Sequence, residues 1–390
     1  MSRCRWLAGT LIAAIAVMNT ASIRAVDPPK ELLAYFGTYT NGGKSKGIYC
    51  YRLDLTSGKL TEVGVTEGIK NPSFVAIHPS GNFLYAVSEV SEGGKPTGAV
   101  TAFKLDRKTG KLTAINHQSS EGAGPCHVSV DKTGKCVLVA NYGGGSIASL
   151  PLAADGSLAK AASAIQHEGS SVDPRRQKEP HAHSINVSPD NRFAFAADLG
   201  LDKVLIYKLD PAAGTLTAND PAFGKTPPGG GPRHFAFHPS DRFAYVCNEM
   251  KSSVTAFNYD AEKGALTEIQ TITTLPDDKQ NLPGNSTAEI QVHPSGKFVY
   301  CSNRGHDSLA IFTVDEKTGQ LIAAGHQATL GKTPRNFGID PTGQFVIACN
   351  QSTDNVAVFR IDAASGKLTQ VGDMISVPAP VCVKFVATAE

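Results

Sequence analysis

Imidazole, carboxylate and guanidinium side chains exchange protons with water or hold anions near neutral pH. In this chain they recur in a few short segments: Pro180-His181-Ala182-His183-Ser184, Pro232-Arg233-His234, Asn248-Glu249, Asn303-Arg304 and Pro334-Arg335-Asn336. Several chemistries are disfavoured. The one G-x-S-x-G match, Gly43 to Gly47, runs into an alternating strand rather than a helix, so it is no nucleophile elbow. CxxC is absent, and the one HxxxH spacing, His234 to His238, lies in a strand-like run with no further ligand beside it to build a zinc site. His181 and His183 project to one side of a strand at i and i+2, a spacing that suits a metal. No acidic or histidine cluster near them completes a shell, so neither a metal nor another cofactor is expected.

Residues this far apart act together only if the fold gathers them, and a repeat supplies the means. The stretch PSGNFLYAVS (79–88) recurs as KTGKCVLVAN, PDNRFAFAAD, PSDRFAYVCN, PSGKFVYCSN and PTGQFVIACN. In each copy the turn residue (Gly81, Gly134, Asn191, Asp241, Gly296 or Gly343) stands seven before the terminal Ser, Asn or Asp. Strand pairing demands such constancy, because a one-residue slip turns every side chain to the other face. A second signature, Gly-x-Leu after a polar turn, occurs seven times, at Gly58, Gly110, Gly156, Gly214, Gly264, Gly319 and Gly366. Alternating strands such as VTAFKLD (100–106) and VLIYKLD (204–210) precede most of them.

One unit is therefore two hairpins, or four strands, over roughly 50 residues, which matches a propeller blade. The first hairpin is complete six times and the second seven times. The missing piece comes from both ends: VCVKFV (381–386) matches the opening strand of the other units and AYFGTYT (34–40) the strand after its turn. The fold class expected is all-β, a seven-bladed β-propeller of four-stranded blades whose last blade is closed by the N- and C-terminal strands. An open solenoid would also repeat, but it would not need its last strand to complete its first unit.

A blade's first strand lines the central channel and its second returns antiparallel beside it. Residues just before the first and just after the second thus meet at one mouth of the ring. On that geometry His183, Arg233, Glu249 and Arg304 face one pocket. The repeat dictates no residue type there: Glu249 is matched by Glu89, Tyr142, Leu199, Arg304 and Gln351, and Arg233 by Arg335, Ser73 and Cys126. Taken singly each reads equally as a solvated rim charge; together they favour a site. The long segment between Leu158 and Pro180 is placed to fold over the mouth and deliver Arg176 to an anion. Pro276 to Ser286 reads as a second lid or linker. His78, His238 and His293, each before Pro at one repeat position, read as structural.

Composition bounds the rest. The 390 residues carry 37 basic and 35 acidic side chains, with no long block of one sign, so no nucleic-acid partner is expected. Arg3 and Arg5, the apolar run Leu7 to Val17 and the small residues up to Ala25 read as a secretory signal over 1–25, with the propeller over 26–390. The run is short for a membrane span, although a retained anchor is the alternative. The protein is then periplasmic or secreted, off the membrane after cleavage, and monomeric. The seven cysteines beyond the signal have no tight spacing and lie mostly in apolar strands, as small hydrophobes do.

The segments PHAHSINVSPDNRFAFAADLG (180–200), GPRHFAFHPSDRFAYVCNE (231–249) and EIQVHPSGKFVYCSNRG (289–305) are where the chain resembles a known family. It is similar to the seven-bladed lactonases of the bacterial 6-phosphogluconolactonase type, related to the fungal carboxy-muconate lactonising enzyme. The resemblance covers essentially everything after the signal. It implies a metal-independent lactone hydrolase acting on a small sugar-acid lactone, with His183, Arg233, Glu249 and Arg304 as catalytic residues. It carries over less directly to Arg176 and His234; these, with His181, Asn248, Asn303 and Arg335, which the blade geometry sets at the same mouth, are the expected substrate-binding residues. His183 or Glu249 would take the proton of water, Arg233 polarise the carbonyl, and Arg304 and Arg176 hold a phosphate or carboxylate. Two rivals stand beside this: a muconate-type cycloisomerase, and a non-catalytic exported propeller binding carbohydrate or protein. The family's reaction is 6-phosphogluconolactone to 6-phosphogluconate; export departs from that cytosolic pattern and points to an unphosphorylated sugar lactone or to a different lactone altogether.

Overall fold

In the computed structural model, Met1 and residues 29–91, 97–280 and 282–389 are described. The expected export signal over 1–25, apart from Met1, and its expected cleavage near Ala25 fall outside them. Seven antiparallel sheets follow one another round a central axis; six have four strands, and in five of these the strands run in chain order. The first blade is the composite: Pro380–Ala387 is its innermost strand, followed by Glu31–Thr38, Gly47–Asp54 and Leu60–Glu67. The ends join in register from Leu32↔Ala387 to Thr38↔Pro380, as the repeat requires. In the seventh blade the outer edge is shared by two short strands, Leu368–Gln370 and Ile375–Ser376.

Burial follows position in the blade. The second strands Cys136–Asn141, Phe193–Asp198, Phe243–Asn248 and Phe345–Asn350 are buried at every residue, because a neighbouring blade covers each face. Outer strands such as Leu112–Ser119 are largely exposed. The turn glycines of the Gly-x-Leu signature all have positive φ, from 65° at Gly264 to 83° at Gly156, a region costly for other residues. The carbonyls of these turns are also docking points. Tyr35, Tyr85, Tyr245 and Tyr300 donate their hydroxyls to Gly110, Gly156, Gly319 and Gly366 of the next blade at 2.8–3.1 Å. The histidines read as structural do the same one turn inward. Nε2 of His78, His238 and His293 lies 2.8–2.9 Å from the carbonyls of Gly134, Gly296 and Gly343, with Nδ1 held by a serine hydroxyl at 2.8 Å.

Every blade therefore needs its neighbour, and the first needs residues from both ends of the chain. Deleting residues 380–390 leaves Glu31–Thr38 as an unpaired edge and removes the inner wall of one blade. The truncated protein is expected to aggregate or lose its cooperative thermal transition. A truncated form that stays monomeric in light scattering with an unchanged transition would show that closure contributes nothing.

Candidate active site

A regular strand points successive side chains to opposite faces, yet the sequence sets Arg233 and His234 side by side at the channel. A β-bulge resolves this. Where the inner strand of the fifth blade begins, pairing steps from Pro232↔Asn248 to Phe235↔Val246, so Arg233 and His234 together oppose Cys247. The sixth blade does the same with Ala288 and Glu289. In the third, fourth, seventh and first blades the unpaired extra residue is Cys126, His183, Arg335 and Val381. These bulges add one inward-turned residue per blade just inside the mouth.

Glu249 is the hub. It is 6% exposed and follows directly on its blade's second strand. Arg176 Nη2 donates to its Oε1 at 2.9 Å, while Arg233 Nε and Arg304 Nη2 lie 3.1 and 2.9 Å from its Oε2. Two of these guanidiniums are also aimed by backbone carbonyls: Arg233 by Ala288, and Arg304 by Thr287 at 2.9 Å. Burial alone would raise the Glu249 carboxyl; Arg304, Arg233 and Arg176 outweigh it and hold it at about 2. Such a carboxylate stays ionised and is a poor acceptor for a water proton, so of the two bases expected from the sequence the geometry disfavours Glu249.

Arg176 comes from the long segment before blade four, and that segment is pinned. Gln177, fully buried, donates to Leu199 O and Asp202 Oδ1 at 2.8 Å, and Asp173 Oδ1 accepts the backbone N–H of Arg175 and Arg176. Arg176 also donates to Tyr142 Oη at 2.9 Å. The Tyr142 ring is in turn stacked on His181 (4.7 Å) and met edge-on by His183 (5.2 Å). His181 Nδ1 lies 3.0 Å from the Tyr142 carbonyl, so it props Tyr142.

The second half of the mouth was less visible in the sequence. Glu89, the blade-two counterpart of Glu249, accepts the Tyr39 hydroxyl at 2.9 Å and the Ser73 hydroxyl. Arg335 lies over the Tyr39 ring at 5.5 Å and, among the described residues, forms no ion pair. His183, Arg233, His234 and Arg335 share one small cavity with Tyr39, Ser73 and Glu89. Four guanidiniums (Arg176, Arg233, Arg304, Arg335) thus face two carboxylates (Glu249, Glu89), a net charge of +2 with the imidazoles neutral. The imidazoles are neutral for a physical reason. Burial, then Arg233, His234 and Arg335, push His183 well below the ordinary range; burial, Arg233 and Lys384 do the same to His234. Burial pushes the Cys126 thiol up, which removes it as a nucleophile.

Two expected residues do not join the mouth. Asn248 is fully buried and donates to Ser253 Oγ and Thr255 Oγ1 (3.0 and 2.9 Å) within its own blade. Asn303 donates to Thr274 O (2.8 Å) and accepts the Thr274 hydroxyl. The Asn303 amide thus ties its blade to the segment arriving from the preceding one, a task the repeat gives Asn141 and Asn350 as well. Glu289, at the start of the sixth blade's inner strand, lies with Oε2 3.0 Å from His234 Nδ1. Below His234 and Phe74 the channel widens toward the opposite face into a cavity of about 350 Å³, lined in part by His127, Glu289, Gln291 and Lys384. Among the described residues no group of three or more His, Cys, Asp or Glu side chains is arranged to hold a metal ion.

The comparisons with known proteins fall on this geometry. Residues 33–385 match the family model described as "Lactonase, 7-bladed beta-propeller". The 6-phosphogluconolactonase of Bacillus subtilis is 40% identical over 357 residues, 91% of this chain and 98% of that protein. The 6-phosphogluconolactonase of Formosa agariphila is 34% identical, covering 78% of this chain and 85% of that one. Among solved structures, the periplasmic gluconolactonase of Pseudomonas aeruginosa superposes with a TM-score of 0.85 at 35% identity, covering 92% of this chain and all of that one. The chain belongs to the lactonase family of seven-bladed β-propellers.

Proposed function

We propose that this protein is a lactone hydrolase of the 6-phosphogluconolactonase type, opening the ring of a sugar-acid lactone at the mouth that holds Glu249. The observation that carries this reading is one buried carboxylate shared by three guanidiniums beside neutral imidazoles. Hydrolysis of a lactone develops negative charge on the carbonyl oxygen and ends in a carboxylate. A mouth of net charge +2 favours both, and the guanidiniums are held in place before substrate arrives. Glu249 aligns the arginines. Arg233 is placed to meet the carbonyl oxygen, and Arg335, free of any ion pair among the described residues, to meet a phosphate or carboxylate on the sugar. An imidazole takes the proton from water. The basic start and apolar run before Ala25, with a periplasmic gluconolactonase among its structural neighbours, support work outside the cytoplasm on an unphosphorylated lactone.

Purified protein lacking residues 1–25 should release protons from gluconolactone or 6-phosphogluconolactone faster than the spontaneous rate. Arg233→Gln should lower kcat by about 10²–10³, and Glu249→Gln should lower it by letting the arginines drift. Turnover unchanged in both would end the proposal.

Arg335→Gln should raise KM for the phosphorylated lactone by roughly 10-fold and leave the uncharged one nearly unaffected. Equal KM changes for both would remove Arg335 from anion recognition.

The pH profile checks the imidazole. His183 and His234 face Arg233, Arg335 and Lys384, with Glu249, Glu289 and His127 beside them, and both are held below the ordinary range. A depressed pKa keeps the base neutral as pH falls, so enzymatic rate should stay flat from pH 8 down to 6. It should drop only when acidification passes the lowered value. A limb centred in the ordinary imidazole range would mean that an exposed histidine does the work.

A further inference from the structure

We propose that His234, oriented by Glu289, is the base that takes the proton from the attacking water, and that Glu289 is its positioning residue. The inference rests on the lactonase reading above. It begins with which nitrogen carries the proton. Both oxygens of Glu289 already accept an N–H, Oε1 from Ile290 (3.0 Å) and Oε2 from Asn336 Nδ2, and His234 Nδ1 lies 3.0 Å from the same Oε2. Asn336 is not free to turn its amide over, because its Oδ1 accepts the Val383 N–H at 3.0 Å. Glu289 is thus an acceptor at both oxygens, so His234 carries its proton on Nδ1 and presents the lone pair of Nε2.

That Nε2 is buried and meets no partner among the described residues, and the residue is 4% exposed. A buried acceptor left unpaired is costly, so something arriving in the channel must meet it. His234 lines the mouth cavity with Arg233 and His183, and the free space between them, about 10 Å³, suits one water molecule. The bulge opposite Cys247 sets the base and the carbonyl-polarising guanidinium on consecutive residues facing the same way. His183 has no such support: its Nδ1 faces Cys126 Sγ at 3.6 Å, and no carboxylate holds its ring.

The step balances. Water forms a C–O bond to the lactone carbonyl and gives its proton to His234 Nε2, while the carbonyl oxygen becomes an oxyanion against Arg233. The tetrahedral intermediate then collapses, the ring C–O bond breaks, and the leaving alkoxide takes that proton back from Nε2. The products are the free hydroxyl and the carboxylic acid, which ionises to solvent. Glu289 stabilises the transient imidazolium throughout.

The test uses the protein from residue 26 onward with gluconolactone and 6-phosphogluconolactone. His234→Asn should lower kcat by about 10²–10⁴ with KM within a few-fold, and added imidazole should restore part of the rate. Glu289→Gln should lower kcat and move the acid limb of kcat/KM to lower pH, which a merely structural loss would not do. Should either variant fail to fold, long-range proton–nitrogen correlation spectra of the wild-type histidines decide, and His234 should be protonated on Nδ1. A folded His234→Asn variant with wild-type kcat, or an Nε2–H tautomer, overturns the inference while wild-type turnover leaves the lactonase reading intact. Wild-type protein inactive on both lactones overturns that reading, and this one with it.

Discussion

A site that needs neighbouring residues to act together sits badly on a β-strand, whose side chains alternate by construction. The bulge at the start of the inner strands relieves that constraint, and the chemistry of the mouth depends on it. Without the extra residue, Arg233 and His234 would point to opposite sides of the blade, and one of them would lie between blades in an apolar seam. With it, the fifth blade turns both toward the axis, and the fourth, sixth and seventh contribute His183, Glu289 and Arg335. The rigid remainder of the ring serves to hold these departures from regularity still. Tyrosine hydroxyls and histidine rings bonded to the turns of the next blade fix each bulge relative to its neighbours.

Electrostatics at the mouth are settled by competition. Burial opposes every charge there, and the ionised form survives only where the partners outnumber the penalty. Glu249 has three guanidiniums, which is why burial does not neutralise it. Among the described residues Glu289 has no guanidinium within ion-pair distance, and burial raises its carboxyl against the pull of Lys384 and Arg233. It keeps its acceptor role through the N–H donors of Ile290 and Asn336, with His234 Nδ1 against the same carboxylate. One carboxylate is thus built to anchor cations and the other to orient an imidazole.

The blade count, the composite first blade and the grouping of His183, Arg233, Glu249 and Arg304 were legible in the sequence, for a common reason. Hairpin turns demand glycine, asparagine or aspartate at fixed distances from strand ends, so they leave a period that can be aligned. Alignment then exposes positions where the residue type departs from its siblings. What alignment cannot expose is a contact that the repeat itself supplies. Asn248 and Asn303 sit at strand ends beside the site and look like part of it, yet the Asn248 amide bonds inside its blade, and that of Asn303 bonds the segment arriving from the preceding blade, as those of Asn141 and Asn350 do. The shared asparagine in the repeat was the available signal. The bulge was hidden for the opposite reason, since an inserted residue in six of seven blades shifts no motif relative to another. Gln177 and Tyr39 were invisible because one lies in a segment with no sibling and the other at the splice between the two chain ends.

Glu89 and Glu249 make the general point about where function resides in a repeated fold. They occupy the same position in blades two and five, follow the same kind of strand and face the same channel. One is met by the hydroxyls of Tyr39 and Ser73 and the other by three arginines. Identical backbone placement has yielded a neutral-donor site on one side of the mouth and a cationic one on the other. The difference comes from the blades on either side and from the pinned segment that delivers Arg176. A ring of equivalent positions is therefore read correctly only in pairs across blade boundaries. A residue's chemistry here is set by what the adjacent units place within about 3 Å of it.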